Sequence, residues 1–434
     1  MKKPRLSANP KVHLASLGCA KNLVDSESLL ARLATAGAIV GADADEADVI
    51  IVNTCGFIQP AKEESIRTIE AYRDLRQDND DKKLIVMGCL PERCGDELRA
   101  ELPWVDAMVG LGAHEEILAL CGLSSLDDAS TARLLLTPAH SAYLRISDGC
   151  DNNCSYCTIP RIRGRFHSRS PEAVLAEAHD LVRSGARELV VIGQDTTSYG
   201  KDLSKPYALH RLLRDLSNLD DLRWIRLLYT HPAHFTDQLI EEYAENSKLC
   251  AYVDIPLQHL HDEMLQRMGR RVTQAECLDL IDRLRDRVPG MALRTTFIIG
   301  FPGETDEQFN ELLRCMREIR FDHVGAFAYS AEPDTRAAGF SGQVPPAVTE
   351  ERIETLMLEQ QAIVFERNQA SIGKTVEVLI DGPADEEDVW VGRTFFQAPD
   401  VDSVTFVEGA NCQPGAFVEA KIIGSQEYDL VARA

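Results

Sequence analysis

Cys150, Cys154 and Cys157 lie in the run Asp-Gly-Cys-Asp-Asn-Asn-Cys-Ser-Tyr-Cys, a Cys-x-x-x-Cys-x-x-Cys spacing. Three thiolates so close along a chain suit three irons of a 4Fe-4S cluster, because cysteine thiolate is the usual ligand of iron–sulfur centres. No fourth cysteine follows nearby, so one iron is left open to a substrate or cofactor. An electron carrier would have every iron capped. Zinc is the competing reading, but a zinc site wants four ligands, and the nearest histidine, His167, lies ten residues beyond Cys157.

A second set is scattered in sequence: Ser-Leu-Gly-Cys19, Val-Asn-Thr-Cys55 and Val-Met-Gly-Cys89. Each ends an apolar run that reads as a strand. In a parallel sheet the carboxyl ends of neighbouring strands sit side by side, about 4.8 Å apart, and ligands bind at that edge. Cys19, Cys55 and Cys89 therefore either hold a second three-cysteine cluster, with Gly18, Gly56 and Gly88 letting backbone crowd around it, or are three buried structural thiols. Cys94, Cys121, Cys250, Cys277, Cys315 and Cys412 show no partner spacing and read as ordinary thiols.

The elements that must position these residues follow from periodicity. Residues 12–17, 49–52, 84–87 and 107–109 read as short buried strands, and helices follow at about 25–36, 61–75, 92–100 and 115–120. This alternation predicts an α/β fold with a parallel sheet. Residues 124–138, rich in Ser, Asp, Ala and Thr, read as a linker. Alternation then resumes with strands at 142–147, 188–192, 224–229, 252–256, 293–299 and 324–329. Six strand–helix units are too few for a closed eightfold barrel, so a partial (β/α)6 barrel is expected, with function at the carboxyl ends of its strands. The triad loop follows the first of them. Ser170 suits an N-cap, Pro171 the first helical position and Gly185 the exit. A helix over 349–370 leads to short strands at 375–380, 389–396, 403–407, 417–424 and 428–431, a small OB-like β-barrel. The expected division is 1–123, a linker 124–140, a barrel with trailing helix 141–370, and a β-barrel 371–434.

The 434 residues carry a net charge of −23. Nucleic-acid binders draw on cationic side chains, so an acidic chain is steered to a basic protein partner instead, and no specific DNA binding is expected. Residues 371–434 hold four Lys or Arg against twelve Asp or Glu, which suits a basic protein better than a phosphate backbone. No apolar stretch approaches the roughly 18 residues of a membrane span, and the basic start lacks an apolar segment behind it. The expectation is a cytoplasmic protein, where cysteines are metal ligands or core thiols rather than disulfides.

With Tyr156 before its last cysteine, the triad resembles the radical S-adenosylmethionine signature. The resemblance implies that the open iron chelates the amino and carboxylate groups of S-adenosylmethionine, whose sulfonium is cleaved on reduction to a 5′-deoxyadenosyl radical. Three remote cysteines ahead and a small β-barrel behind make nearly the whole chain similar to methylthiotransferases, whose N-terminal domain carries a second cluster and whose C-terminal module is called TRAM. Two 4Fe-4S clusters are thereby implied, held by Cys19, Cys55 and Cys89 and by Cys150, Cys154 and Cys157. Ser16-Leu-Gly-Cys-Ala-Lys-Asn-Leu-Val-Asp-Ser-Glu27, Arg145-Ile-Ser-Asp-Gly-Cys150 and Cys157-Thr-Ile-Pro-Arg-Ile-Arg-Gly164 resemble the RimO-type branch. The tRNA-modifying branch typically carries Tyr-Gly-Cys-Gln-Met-Asn at the first of these.

The RimO-type resemblance implies transfer of a methylthio group to the β-carbon of an aspartate in the twelfth protein of the small ribosomal subunit, free or in the assembled subunit, with electrons from a donor such as flavodoxin or ferredoxin. It also implies cofactor contacts from Tyr156, from Gly193-Gln194-Asp195 after the second barrel strand, from Gln258 after the fourth, and from Gly300 in Thr296-Phe-Ile-Ile-Gly-Phe-Pro-Gly-Glu304. Tight βα turns are the competing role for these glycines. His231, His234, His259 and His261 read as polar pocket wall rather than metal ligands, and Gly110-Leu-Gly112 lacks the third glycine of a dinucleotide fingerprint. The rival functions are methylthiolation of a modified adenosine in tRNA, plain electron carriage, and a TRAM-type RNA-binding scaffold.

Overall fold

Strand β3 (Val49–Thr54) is Val-Ile-Ile-Val-Asn-Thr, buried at every position, as a strand covered on both faces must be. It lies at the centre of a parallel sheet whose order is β2-β1-β3-β4-β5, with β1 at Lys11–Ser16, β2 at Ile39–Val40, β4 at Lys83–Gly88 and β5 at Ala107–Val109. The computed structural model describes residues 9–77, 81–124, 132–409 and 412–434. It comprises two compact units, the first containing residues up to Leu136 together with Asp148–Asp151 and Thr158–Phe166. Among the described residues no helix is long and apolar enough to cross a membrane.

The helices of the first unit differ from expectation at their starts. Helix α1 (Ala20–Thr35) begins five residues early, with Cys19 as its N-cap, and α4 (Cys89–Glu101) opens on Cys89 itself. Lys21, Asn22, Asp25, Ser26 and Glu27 are all buried, so the opening turns of α1 carry a polar face that apolar periodicity does not mark. The helix expected over 61–75 is two, α2 (Gln59–Ala71) and α3 (Arg73–Gln77), and the two-residue β2 was not anticipated. The first unit also holds α5 (His114–Leu120) and the one-turn α6 (Ile159–Ile162). Residues 125–131 of the expected linker lie outside the described residues. Its tail is anchored: the Leu136 amide donates to the buried Glu27 carboxylate at 2.8 Å, and Arg133 Nε does so at 3.1 Å.

The second unit holds six parallel strands in sequential order: β6 (Ser141–Arg145), β7 (Glu188–Ile192), β8 (Trp224–Leu227), β9 (Leu249–Asp254), β10 (Ala292–Ile299) and β11 (His323–Ala328). This is the partial barrel the strand count predicts. Ser170 Oγ accepts from the Ala173 amide at the head of α7 (Pro171–Arg183), and Gly185 beyond it has φ +118°. Helices α8 (Leu209–Ser217), α9 (Asp237–Glu245), α10 (Asp262–Arg267), α11 (Gln274–Arg287) and α12 (Asp306–Ile319) follow in turn. Helix α13 (Pro346–Ser371) leads to a closed five-stranded β-barrel of β12 (Thr375–Pro383), β13 (Val389–Arg393), β14 (Thr405–Glu408), β15 (Phe417–Gln426) and β16 (Asp429–Arg433).

Strand β13 stops at Arg393, three residues short of expectation, because residues 394–402 form a loop bound to the (β/α)6 strands. Buried Arg226 donates to the Phe395 carbonyl at 2.5 Å, and Tyr143 and Tyr252 donate to Asp400 and Asp402, each at 2.7 Å. Arg393 joins Glu188 (2.7 Å) to Asp381 (2.8 Å). The acidic balance of residues 371–434 is therefore partly internal.

Candidate iron–sulfur and cofactor site

In the first unit, the three scattered cysteines share the carboxyl edge of the sheet. Cys55 follows β3, and a Cβ on Gly18, the residue before Cys19, would stand 2.9 Å from the Cys55 Cβ and 3.3 Å from its Sγ. One on Gly56 would stand 2.8 Å from the Cys89 carbonyl, and one on Gly88 would collide with Asn53. Glycine is required at Gly18 and Gly56 because Cys55 and Cys89 press against them, and at Gly88, with φ +100°, because Asn53 and the Thr54 backbone do. The Cys89 Sγ lies 3.3 Å from Asn22 Oδ1 and 3.8 Å from Arg163 Nη2. Burial pushes the Cys89 thiol up to about 12 and raises Cys55 as well. At the crowded rim, desolvation also opposes the Cys19 thiolate, but Lys21, the Asn22 amide and Arg163 outweigh it and hold that thiol below its ordinary value. Three thiols around a glycine-lined edge with a guanidinium beside them fit an anionic iron–sulfur group. The buried-thiol alternative describes Cys121, Cys250 and Cys277 better: burial pushes each up to about 12, with no other cysteine among the causes.

Cys150 belongs to the same unit. Its amide donates to the Gly164 carbonyl at 3.3 Å. Gly149, at φ +70°, passes so close to the Arg165 carbonyl that a side chain would collide with it. In the second unit, Cys154 and Cys157 form a turn closed by the Cys157 amide on the Cys154 carbonyl at 3.3 Å. Asn153, immediately before Cys154, has φ +52°. The turn is held from behind by the Ser155 amide on the Met268 carbonyl at 2.8 Å and by Arg336 on the Asn153 carbonyl at 2.7 Å. Buried Arg270 reaches the Cys154 Sγ at 3.8 Å and the Pro256 carbonyl at 2.7 Å. A permanent cation against a ligand sulfur suits an anionic cluster. Half-buried Tyr156 packs edge-on to Phe301 at 6.4 Å, and loss of water together with the neighbouring Cys154 raises its hydroxyl pKa. Among the described residues no three His, Cys, Asp or Glu side chains are arranged to hold a single metal ion.

Of the expected cofactor residues, Asp195 is drawn to the triad loop. Its Oδ2 accepts from Asn152 (2.9 Å), Ser198 (2.8 Å) and His234 (2.7 Å), and its Oδ1 from Thr197 (2.5 Å). Burial pushes its pKa up, but these donors, His234 foremost, outweigh that and keep it well below the usual carboxylate range. A carboxylate has about four acceptor sites, and the crowding falls on Oδ2, leaving Oδ1 the freer oxygen. Gly193 precedes it, where a Cβ would stand 2.5 Å from Ser147 Oγ, and Gln194 between them is half-buried. Gln258, at φ +72°, bridges β9 to β10 through its backbone, donating to the Thr296 carbonyl and accepting from Ile298. Gly300, at φ +73°, lies against Thr349 of α13, and its amide donates to Glu304 at 3.1 Å; the left-handed backbone and the helix contact each favour glycine there.

Of the four histidines, His231 and His234 stack at 4.9 Å, His261 caps α10, and fully buried His259 faces Glu304 at 3.7 Å. Sequence reasoning missed Asn22, Asn152, Arg163 and Arg270. Asn22, Asn152 and Arg163 lie inside stretches quoted above for the cysteine spacing or the resemblance, but nothing singled them out there, and Arg270 lies in Gly269-Arg270-Arg271 with no spacing signal.

Three family profiles match the chain: "Uncharacterized protein family UPF0004" over residues 11–110, "Radical SAM superfamily" over 144–316 and "TRAM domain" over 372–434. A curated relative, the ribosomal protein uS12 methylthiotransferase RimO of Geobacter sulfurreducens, is 44% identical over 440 residues covering 98% of each chain. The chain belongs to the RimO family. RimO proteins of Geotalea uraniireducens and Clostridioides difficile are 45% and 42% identical, covering 98% and 97% of this chain and 98% of each relative. With its radical SAM domain, the chain is a radical-SAM transferase of the methylthiotransferase class, and these relatives are named for a ribosomal protein rather than for tRNA. Among solved structures, the radical S-adenosylmethionine methyltransferase TsrM of Kitasatospora setae with tryptophan substrate and SAM analog bound shares the fold. It has a TM-score of 0.57 at 14% identity and covers 82% of this chain and 89% of its own. The cobalamin-dependent enzyme OxsB shares it at a TM-score of 0.51 and 13% identity, covering 81% of this chain and 56% of its own.

Proposed function

We propose that this RimO-family chain methylthiolates ribosomal protein uS12 at the β-carbon of an aspartate, using two 4Fe-4S clusters and S-adenosylmethionine, in the cytoplasm, with electrons from flavodoxin or ferredoxin. The observation that carries the two-cluster reading is the packing of the first unit, in which adjacent residues Arg163 and Gly164 contact Cys89 and the Cys150 amide respectively. A β-C–H bond has no acidic proton for a general base to remove, so the reaction calls for cofactor chemistry. When bound, the group held by Cys150, Cys154 and Cys157 would supply the electron that generates an adenosyl radical, and the one held by Cys19, Cys55 and Cys89 would present the sulfur that is transferred.

The chain's own residues do the holding. Arg270 offsets negative charge at Cys154, Asp195 orients Asn152 of the triad loop and offers Oδ1 to a cationic ligand group, and Tyr156 shields the loop with its ring against Phe301. Anaerobic reconstitution with iron and sulfide counting tests the cluster assignment. About eight irons per wild-type chain should fall to about four in the Cys19→Ala, Cys55→Ala, Cys89→Ala variant, one cubane per trio. Equal iron in the two proteins would remove the N-terminal group. Mass spectrometry of uS12 tests the substrate, and thiomethylated tRNA with unmodified uS12 would overturn it.

A further inference from the structure

Arg163 has no assigned role, yet its side chain is only 3% exposed and it forks between two parts of the first unit. Nη2 donates to Asn22 Oδ1 at 2.7 Å and Asp25 Oδ2 at 2.9 Å and stands 3.8 Å from Cys89 Sγ. Nη1 reaches the Asp148 carboxylate at 3.2 Å, two residues before Cys150. The next residue, Gly164, gives its carbonyl to the Cys150 amide. Asn22 extends the contact inward: its Oδ1 faces Cys89 Sγ, and its Nδ2 donates to the carbonyls of Leu17 (3.1 Å) and Thr54 (2.9 Å), which flank Cys19 and Cys55. One guanidinium thus connects the strand ends that carry the N-terminal thiols to the loop that carries Cys150.

We propose that Arg163 is a positioning residue that fixes the N-terminal cysteine edge against the Cys150 loop and raises the reduction potential of the group that edge holds. The proposal rests on the two-cluster reading above. A cation and an N–H donor beside a cluster sulfur favour the more negative, reduced state. The planar fork matters separately from the charge, since a lysine ammonium is a single point and cannot reach Asn22, Asp25 and Asp148 in one geometry.

The test compares reconstituted full-length wild type, Arg163→Lys and Arg163→Gln. The N-terminal potential is read alone, by EPR-monitored titration, in a Cys150→Ala, Cys154→Ala, Cys157→Ala background. Arg163→Gln is expected to shift that potential to more negative values. Arg163→Lys is expected to retain the full iron content and the 5′-deoxyadenosine yield while losing most methylthiolated uS12 per 5′-deoxyadenosine formed. A wild-type potential in Arg163→Gln overturns the proposal. So does a wild-type coupling ratio in Arg163→Lys, which decides the matter alone if Arg163→Gln fails to fold. Should wild type itself leave uS12 unmodified, the substrate reading falls while the potential still reports on Arg163; absence of iron from the Cys150→Ala, Cys154→Ala, Cys157→Ala background would instead overturn the two-cluster reading and this proposal with it.

Discussion

Two buried imidazoles give the protein a pH dependence of definite sign. Burial, aided by His261 and Arg352, drops the His259 pKa to about 3, and burial with Arg270 drops His231 to about 2. Both rings stay neutral in the fold but charge freely in the unfolded chain near 6.5. Between these values the unfolded state binds more protons, so stability falls as pH is lowered below about 6.5, by up to about 1.4 kcal/mol per pH unit for each histidine. Asp195 acts in the same direction at lower pH, because its depressed carboxyl contributes stability that protonation removes. Thermal melts of the apo chain should lose several degrees from pH 7 to pH 5, and His259→Asn should flatten that slope; identical slopes would refute the assignment. Neither histidine's burial is visible in sequence, where both read as histidines near strand ends.

At the scale of elements, what could be read depended on whether burial is apolar. The strands were legible because runs such as Val49–Thr54 are buried throughout and the unit around them repeats. The three N-terminal cysteines were legible because each ends such a run. The opening of α1 was not, since Lys21, Asn22, Asp25, Ser26 and Glu27 are buried for hydrogen bonding and charge pairing rather than apolar packing. Gly300 shows a different limit: its motif signals close backbone approach, but sequence does not say to what. Here the crowding neighbour is Thr349 of α13. Gly300→Ala combines that clash with a left-handed backbone and should cost about 1–3 kcal/mol. Adding Thr349→Ala should recover part of this loss in a denaturant melt of the apo chain. No recovery would mean that the left-handed backbone, and not Thr349, sets the cost.

For the molecule as a whole, the charge of −23 mixes carboxylates of two kinds, and substitutions should separate them. In the C-terminal barrel, Asp381, Asp400 and Asp402 are tied to Arg393, Tyr143 and Tyr252, whereas Asp385, Glu386, Glu387, Asp388, Glu419 and Glu427 are exposed. Only the exposed group is available to a basic partner. Arg393 is 4% exposed, and Arg393→Met leaves Asp381 with His140 in place of its guanidinium and Glu188 with Arg226 and the Ser141 hydroxyl. Breaking a buried pair from one side typically costs about 3–5 kcal/mol, so this variant should melt well below wild type. The Asp385→Asn, Glu386→Gln, Glu387→Gln, Asp388→Asn variant removes more charge from a turn whose hydrogen bonds run through its backbone and whose side chains are exposed, so each change should fall within about 0.5 kcal/mol of neutral. It should instead slow association with uS12 and weaken the dependence of that rate on salt, as steering by surface charge requires. An unchanged association rate would mean that the C-terminal barrel's acidity serves its own packing, and that the basic partner is recognised elsewhere on the chain.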